Sequence, residues 1–350
     1  MAGFVVLGLR PARSFPATDV TFLFINDVHA CKTRDGLSPN CAEQGKTDEN
    51  LLRHVRALNR IEEATWPATI DGAATGLRSA GQKVATPRGI VAGGDITDDG
   101  GGQRAEPEEG FQLQQFSHRY QKGDSEDEVN FPVYVGLGNH DLDQDGPKED
   151  IDWYRRELRD YVELNHRPSV FFKPAVPVDR FDVPTDCYSW SWGGLHLVQL
   201  HRYGGDTDKG AINSLGWLAR NLAEFAADGR PVVLFQHYGW DVFSIERWDP
   251  SMVTFDDEGA GPPHWWSEEQ RQALLDTVKP YNVIGLFHGH EHDDPMIYDR
   301  GGLDLFKPRA AYLGGFAVAR VTNGFMDVAL CEATDDGGVR FVKARSKTLG

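Results

Sequence analysis

Apolar runs and helical periodicities alternate along the chain. Thr21 to Ile25 is a continuous apolar run of buried-strand length, and Leu51, Leu52, Val55, Leu58 and Ile61 then recur at helical spacing. Ile90 to Ala92 predicts a short strand running into Gly93-Gly94, followed by a helix near Glu108 to Tyr120. Val133 to Leu137 predicts another strand, and Ile151, Tyr154, Leu158 and Val162 mark the next helix. The second half repeats the alternation. Leu195 to Leu200 predicts a strand, and Leu215, Leu218, Leu222 and Phe225 a helix that Gly229 can terminate. Val232 to Phe235 is a further strand. Ser267 and Gln270 form a capping box for a helix through Val278, and Val283 to Phe287 is again a strand. Ala310 to Phe316, Phe325 to Leu330 and Val339 to Val342 are predicted to finish the chain as β-structure. No internal repeat, low-complexity linker or clear boundary interrupts the pattern. Residues 1–350 therefore read as one domain, with loop insertions at about 30–50, 98–130 and 238–266.

Polar motifs follow five of these strands. Asp27-Val28-His29, Gly94-Asp95, Gly138-Asn139-His140-Asp141, His237 and Gly289-His290-Glu291-His292 each lie just past an apolar run. In open α/β sheets, ligands bind in the crevice outside the carboxyl ends of strands, so these side chains are expected to converge. Carboxylates, imidazoles and one amide are what borderline divalent metals accept, and Asp27, His29, Asp95, Asn139, His237, His290 and His292 suffice for two ions. Asp and His separated by one residue can face the same side at a strand end. A carboxylate such as Asp95 has two oxygens and can bridge two ions. Each motif alone is weak, since a turn aspartate or a satisfied histidine is common. Their order and shared position at strand ends give the set its weight.

Charge narrows the partners. Lys and Arg number 36 against 53 Asp and Glu, a net charge of −17. Such a surface repels nucleic-acid backbones, and with no basic stripe a nuclease is disfavoured. A small phosphorylated substrate remains compatible, because bound metals reverse the local field. At 350 residues and 40% hydrophobic content the chain can bury a sizeable core. No apolar run approaches the ~18 residues of a membrane span. Ala2 to Leu9, followed by Arg10-Pro11-Ala12-Arg13, reads as the remnant of a trimmed export signal. Cys31 and Cys41 lie in a Gly-, Pro-, Asn- and Ser-rich stretch, and a disulfide is expected there in preference to two free thiols. No Cys-x-x-Cys spacing favours a zinc knuckle. These features favour an exported protein, periplasmic or extracellular, over a cytoplasmic one.

Other residues carry weaker expectations. Trp240, Trp248, Trp265 and Trp266 in the segment 238–266 could wall the site, but a long loop packing on its own aromatics is the favoured reading. His201 ends a strand and faces either the pocket or solvent. Lys46 could meet a phosphate, although a solvated lysine near a helix start is expected. His54 and His118 fall on predicted helices and receive no role.

The ordered motifs from Asp27 to His292 resemble the calcineurin-like metallophosphoesterase superfamily. The resemblance implies an α/β fold, a four-layer α/β/β/α sandwich of two mixed β-sheets flanked by helices. It implies one metal held by Asp27, His29, Asp95 and His292, and a second held by Asp95, Asn139, His237 and His290, with Asp95 as the bridge. The ions would be Mn, Fe or Zn, with identity left open. His140 would stand near the leaving group as the catalytic residue, with Asp141 as a candidate orienting partner. Gly94-Asp95-Ile96-Thr97-Asp98 and Gly138-Asn139-His140-Asp141 look most like the bacterial cyclic-nucleotide and glycerophosphodiester phosphodiesterases. Purple acid phosphatases carry a metal-binding tyrosine three positions after the bridging Asp, where this chain has Asp98. The implied reaction is hydrolysis of a phosphoric ester, a diester ahead of a monoester, by hydroxide shared between the metals and attacking phosphorus in line. A phosphomonoesterase acting on a small phosphorylated metabolite or lipid headgroup is the enzymatic alternative. A non-catalytic scaffold of the same fold is the remote one.

Overall fold

The structure, a computed structural model, describes residues 16–37, 39–99, 110–142, 152–206, 213–240 and 266–350. Trp248, Trp265, Glu108, Ile151 and the apolar start fall outside these residues, as do parts of the insertions expected near 98–130 and 238–266.

The first half begins with β1 (Asp19–Ile25), a small hairpin of β2 (Lys32–Thr33) and β3 (Gly36–Leu37), and the short helix α1 (Pro39–Glu43). Helix α2 (Asp48–Asn59) follows, with Thr47 accepting the Asn50 N–H as its N-cap. Its buried face carries Leu51, Val55 and Leu58 of the expected positions together with His54 and Ala57, while Leu52 is half-buried and Ile61 is buried in the 3₁₀ turn that follows. A second hairpin, β4 (Thr69–Ile70) and β5 (Ala73–Ala74), precedes β6 (Ile90–Gly93), α3 (Phe111–Tyr120), β7 (Val133–Gly136), α4 (Asn139–Leu142) and α5 (Asp152–His166).

The second half holds β8 (Arg180–Phe181), β9 (Tyr188–Trp192), β10 (Leu195–Gln199), α6 (Ser214–Phe225), β11 (Val232–Phe235), α7 (Glu268–Val278) and β12 (Val283–Phe287). Both halves of the Ser267–Gln270 capping box are made. The chain ends with β13 (Met296–Arg300), β14 (Leu303–Lys307), β15 (Gly315–Thr322), β16 (Phe325–Ala333) and β17 (Val339–Thr348). Within 310–316, where β-structure was expected, Ala311–Leu313 forms a 3₁₀ turn and the strand begins only at Gly315. That turn docks on the loop after β1, where Ala311 N–H donates to Asn26 O at 2.9 Å.

Two large mixed sheets result. One runs β17-β16-β15-β1-β6-β7, the other β13-β14-β12-β11-β10-β9-β8. In the first sheet β1-β6-β7 are parallel and form one end, with β15, β16 and β17 added antiparallel; in the second the central β10-β11-β12-β14 are parallel and the outer strands antiparallel. The sheets meet through rings on their inner faces. Phe22 lies 5.8 Å from Phe235 and 5.5 Å from Phe287, and Phe24 lies 5.9 and 5.4 Å from the same two rings. Alternate residues of the second sheet turn the other way. Val198, Val232, Leu234 and Leu286 pack with Leu218 and Leu222 of α6 and Leu274 of α7. Sheets buried on both faces explain why their central strands read as unbroken apolar runs. The layers are those the resemblance implied.

Candidate metal centre

All five motif loops leave parallel strands at one edge of the two sheets. β1 ends at Ile25, β6 at Gly93, β7 at Gly136, β11 at Phe235 and β12 at Phe287, each two or three residues before a predicted site residue. The loops are stitched to one another: Asp27 N–H donates to Gly94 O at 3.0 Å, His29 N–H to Asp95 O at 2.9 Å, and Gly289 N–H to His237 O at 2.9 Å. Two glycines permit the close approach. A Cβ at Gly138 would stand 2.2 Å from Asp95 Oδ1, and one at Gly289 2.5 Å from Asp27 Oδ2. Backbone strain collects here as well. Asp27, His29, Asp95 and His290 have φ of 51, 45, 50 and 77°, a left-handed conformation costing on the order of 1–3 kcal/mol per non-glycine residue.

The side chains meet in two adjoining groups. Asp27, His29, Asp95 and His292 each offer one ligand atom within 4.8 Å of the others, and Asp95, His237 and His290 form a second such group. Asp95 belongs to both. Its Oδ1 accepts the His140 N–H at 2.9 Å, while Oδ2 lies 3.7 Å from His29 Nε2 and 3.1 Å from His237 Nε2. Asp27 Oδ1 is 3.4 Å from His292 Nε2, 3.9 Å from His29 Nε2 and 3.8 Å from His237 Nε2. Ligand atoms bound to one ion at ~2.1 Å are about 3 Å apart, which these spacings approach. Asn139 Oδ1 is buried without a hydrogen-bond partner among the described residues.

The hydrogen bonds behind the rings fix which nitrogens face inward. His29 Nδ1 donates to Asp98 Oδ1 at 3.1 Å, and His292 Nδ1 lies 3.0 Å from the Tyr312 hydroxyl. Their Nε2 atoms face each other at 3.1 Å, and His292 Nε2 also lies 3.4 Å from Asp27 Oδ1, so several ligand atoms converge on one point. Burial and the nearby His140 and Lys46 charges outweigh the Asp98 hydrogen bond and push His29 down to about 4, so it is the neutral imidazole a metal needs. Asp27 and Asp95 are wholly buried, and among the described residues no lysine or arginine pairs with them. Burial alone would raise both carboxyls. The hydrogen bond from His292 and the charge of His237 nonetheless hold Asp27 low, and the charges of His237 and His140 hold Asp95 low. Burial likewise lowers His237, but the Asp95 charge overrides it and raises the ring to about 9. The field at this spot calls for positive charge, as metals would supply.

His140 stands at the rim, partly exposed, its ring 4.6 Å from that of His29. Its Nδ1 hydrogen-bonds to the Asp98 carbonyl. Burial lowers its pKa, but the Asp95 and Asp98 carboxylates prevail and raise it. Asp141 does not orient this ring. It is buried and ties two loops together, accepting from Gly138 N at 2.9 Å, Ile96 N at 3.1 Å, Thr97 N at 3.0 Å and Thr97 Oγ1 at 2.8 Å. Burial and the Asp95 charge push Asp141 up to about 6 despite those bonds.

Sequence reasoning missed the partners behind the ligands. Asp98 and Tyr312 hold His29 and His292, and Lys307, fully buried, donates to Glu291 O at 2.8 Å and pairs with the Glu291 carboxylate between the two histidines. Only the Gly94-Asp95-Ile96-Thr97-Asp98 motif hinted at Asp98. Two other expectations need correcting. Lys46 is not solvated; it is 6% exposed and paired with Asp98. His201 is neither at the pocket nor at the surface, because it accepts from Leu137 N at 3.1 Å and donates to Asp186 O at 2.8 Å in the interior. Trp240 and Trp266 pack on each other at 4.4 Å, as the self-packing reading expects. Cys31 and Cys41 form the expected disulfide, with Cα atoms 6.4 Å apart.

The family model for calcineurin-like phosphoesterases matches residues 20–294, and the chain belongs to that family. It is a metal-dependent phosphoester hydrolase. A dimetal phosphatase from Danio rerio superposes with a TM-score of 0.53 at 14% identity, covering 94% of this chain and 99% of that one. A purple acid phosphatase from yellow lupin (Lupinus luteus) seeds gives 0.49 at 12% identity, covering 95% of this chain and 54% of that one. At such identities the likeness is one of fold. Comparison with curated proteins gives no match. No helix among the described residues is long and apolar enough to cross a membrane.

Proposed function

We propose that the chain hydrolyses phosphodiesters, with Asp27, His29, Asp95 and His292 holding one ion and Asp95, Asn139, His237 and His290 the other. The observation that carries the two-ion assignment is the sharing of one buried carboxylate, Asp95, between two adjoining ligand groups, and the diester reading rests on the motifs Gly94–Asp98 and Gly138–Asp141. Bound ions there would polarise the phosphate oxygens and lower the pKa of water. The chain's own residues supply the rest. Asp98 and Tyr312 aim His29 and His292, and His140 protonates the leaving alkoxide from Nε2 while the Asp98 carbonyl holds its Nδ1–H. Ions at Asp95 offset part of the field that raises His140, so its role rests on this fixed tautomer and on its place at the rim. Asp98 stands where purple acid phosphatases carry a metal-binding tyrosine, which supports a reading outside that branch. Both sheets feed this one site, which supports a single domain over residues 1–350. The Cys31–Cys41 disulfide supports an exported protein.

Substrate class is tested by kcat/KM for bis-p-nitrophenyl phosphate against p-nitrophenyl phosphate in Mn²⁺-loaded protein. The diester is expected to be the better substrate. A preference for the monoester would overturn the diester assignment and favour a phosphomonoesterase acting on a small metabolite or lipid headgroup.

A further inference from the structure

Behind the first ligand group, one cation touches the support of both of its histidines. Lys46 Nζ pairs with Asp98 Oδ1, the oxygen that also receives His29 Nδ1 at 3.1 Å. The same ammonium lies 5.6 Å from the centre of the Tyr312 ring, and Tyr312 OH meets His292 Nδ1 at 3.0 Å. A buried ammonium over a ring face is attracted by it, and a carboxylate shared with lysine loses freedom to turn.

The backbone that delivers Lys46 is itself held. Lys46 N–H donates to Cys41 O at 2.8 Å, Thr47 N–H to Gly45 O at 2.8 Å, and Thr47 then caps α2. Cys41 is bonded to Cys31, two residues beyond His29, and its Sγ lies 3.4 Å from Asp98 Oδ2. Cys31 N–H is anchored in turn on Gln115 Oε1 at 2.9 Å. The loop therefore begins at one ligand strand, closes on itself and returns a single cation to the back of the site.

We propose that Lys46 is a positioning residue for the first metal position: seated by the Cys31–Cys41 loop, it braces Asp98 and Tyr312 and so keeps His29 and His292 aimed at one ion. This rests on the ligand assignment proposed above. Lys46 stands behind the ligand set rather than in it, and its effect falls on one of the two metal positions.

The test is calorimetric titration of the chelator-stripped full chain with Mn²⁺ alone, together with the melting temperature of each metal-free form. Wild type is expected to take up two ions. Lys46→Met should lose roughly 10–100-fold in affinity at one position and leave the other near wild type, the range typical of removing an outer partner. Lys46→Arg should recover most of that loss. The paired Cys31→Ser, Cys41→Ser variant should weaken the same position in the same direction, and it carries the test should Lys46→Met fail to fold. Wild-type affinity at both positions in Lys46→Met would overturn the role. Equal weakening of both ions, with a collapsed metal-free melting temperature, would overturn it too and reduce Lys46 to a general structural part. A wild-type chain that takes up no Mn²⁺ would overturn the ligand assignment itself, and this role with it.

Discussion

Asp95 is divided between two tasks before any ion arrives. Oδ1 is committed to the His140 N–H at 2.9 Å, and Oδ2 is turned toward His29 and His237. Asp95→Asn keeps the shape but removes the charge both ligand groups share. It should drop metal content below one ion per chain by elemental analysis and abolish turnover. His140→Ala should behave differently. Its ring is held by a backbone carbonyl at the rim, so kcat should fall on the order of 10²–10⁴ while the metals stay. Metal loss in His140→Ala would move that residue into the ligand set. The ligands were legible in the sequence because each follows a strand end, a local fact. Their supports were not. Asp98 lies 69 positions from His29 and 52 from Lys46, so only folding reveals that they meet.

Among elements, the loop after β7 shows how closely the strand ends must approach. Gly138 leaves no room for a side chain beside Asp95 Oδ1. Gly138→Ala should therefore force the Asp95 loop aside and weaken Mn²⁺ binding, with a melting temperature lowered by less than in a buried large-to-small substitution. Undiminished binding in that variant would show that the loops have slack. The strands β1, β6, β7, β10, β11 and β12 were readable as apolar runs because both faces of their sheets are covered. β9 was missed although the alternation of Tyr188, Trp190 and Trp192 with serines is itself a strand pattern. β13 was missed because it is a partly exposed edge strand. The 3₁₀ turn at Ala311–Leu313 read as strand from its apolar composition, but docking on the β1 loop sets its conformation.

Across the whole molecule, stability should depend on two buried neutral histidines remote from the ligand set. His166 accepts the Val135 N–H at 2.9 Å and donates to Val176 O at 2.9 Å, and burial pushes it down to about 4 against an ordinary 6.5. His54, beside Tyr120 OH at 2.8 Å, is pushed down to about 3 by burial. Between the folded and unfolded values the unfolded chain binds protons that the folded chain refuses. Stability is thus complete above pH ~6.5 and falls as pH drops toward 4, by about 1.4 kcal/mol per pH unit for each group. Urea midpoints of metal-free protein from pH 7 to 5 should show this slope, and His166→Gln should be less stable at pH 7 but less sensitive to acid. An unchanged slope in that variant would remove His166 from the account.

Counting bound metal and measuring rate in one preparation decides whether two ions carry the hydrolysis. Purified chain should carry two ions, lose hydrolysis of bis-p-nitrophenyl phosphate when both are chelated, and regain it as two equivalents of Mn²⁺ return. Undiminished hydrolysis by metal-free protein would contradict that role.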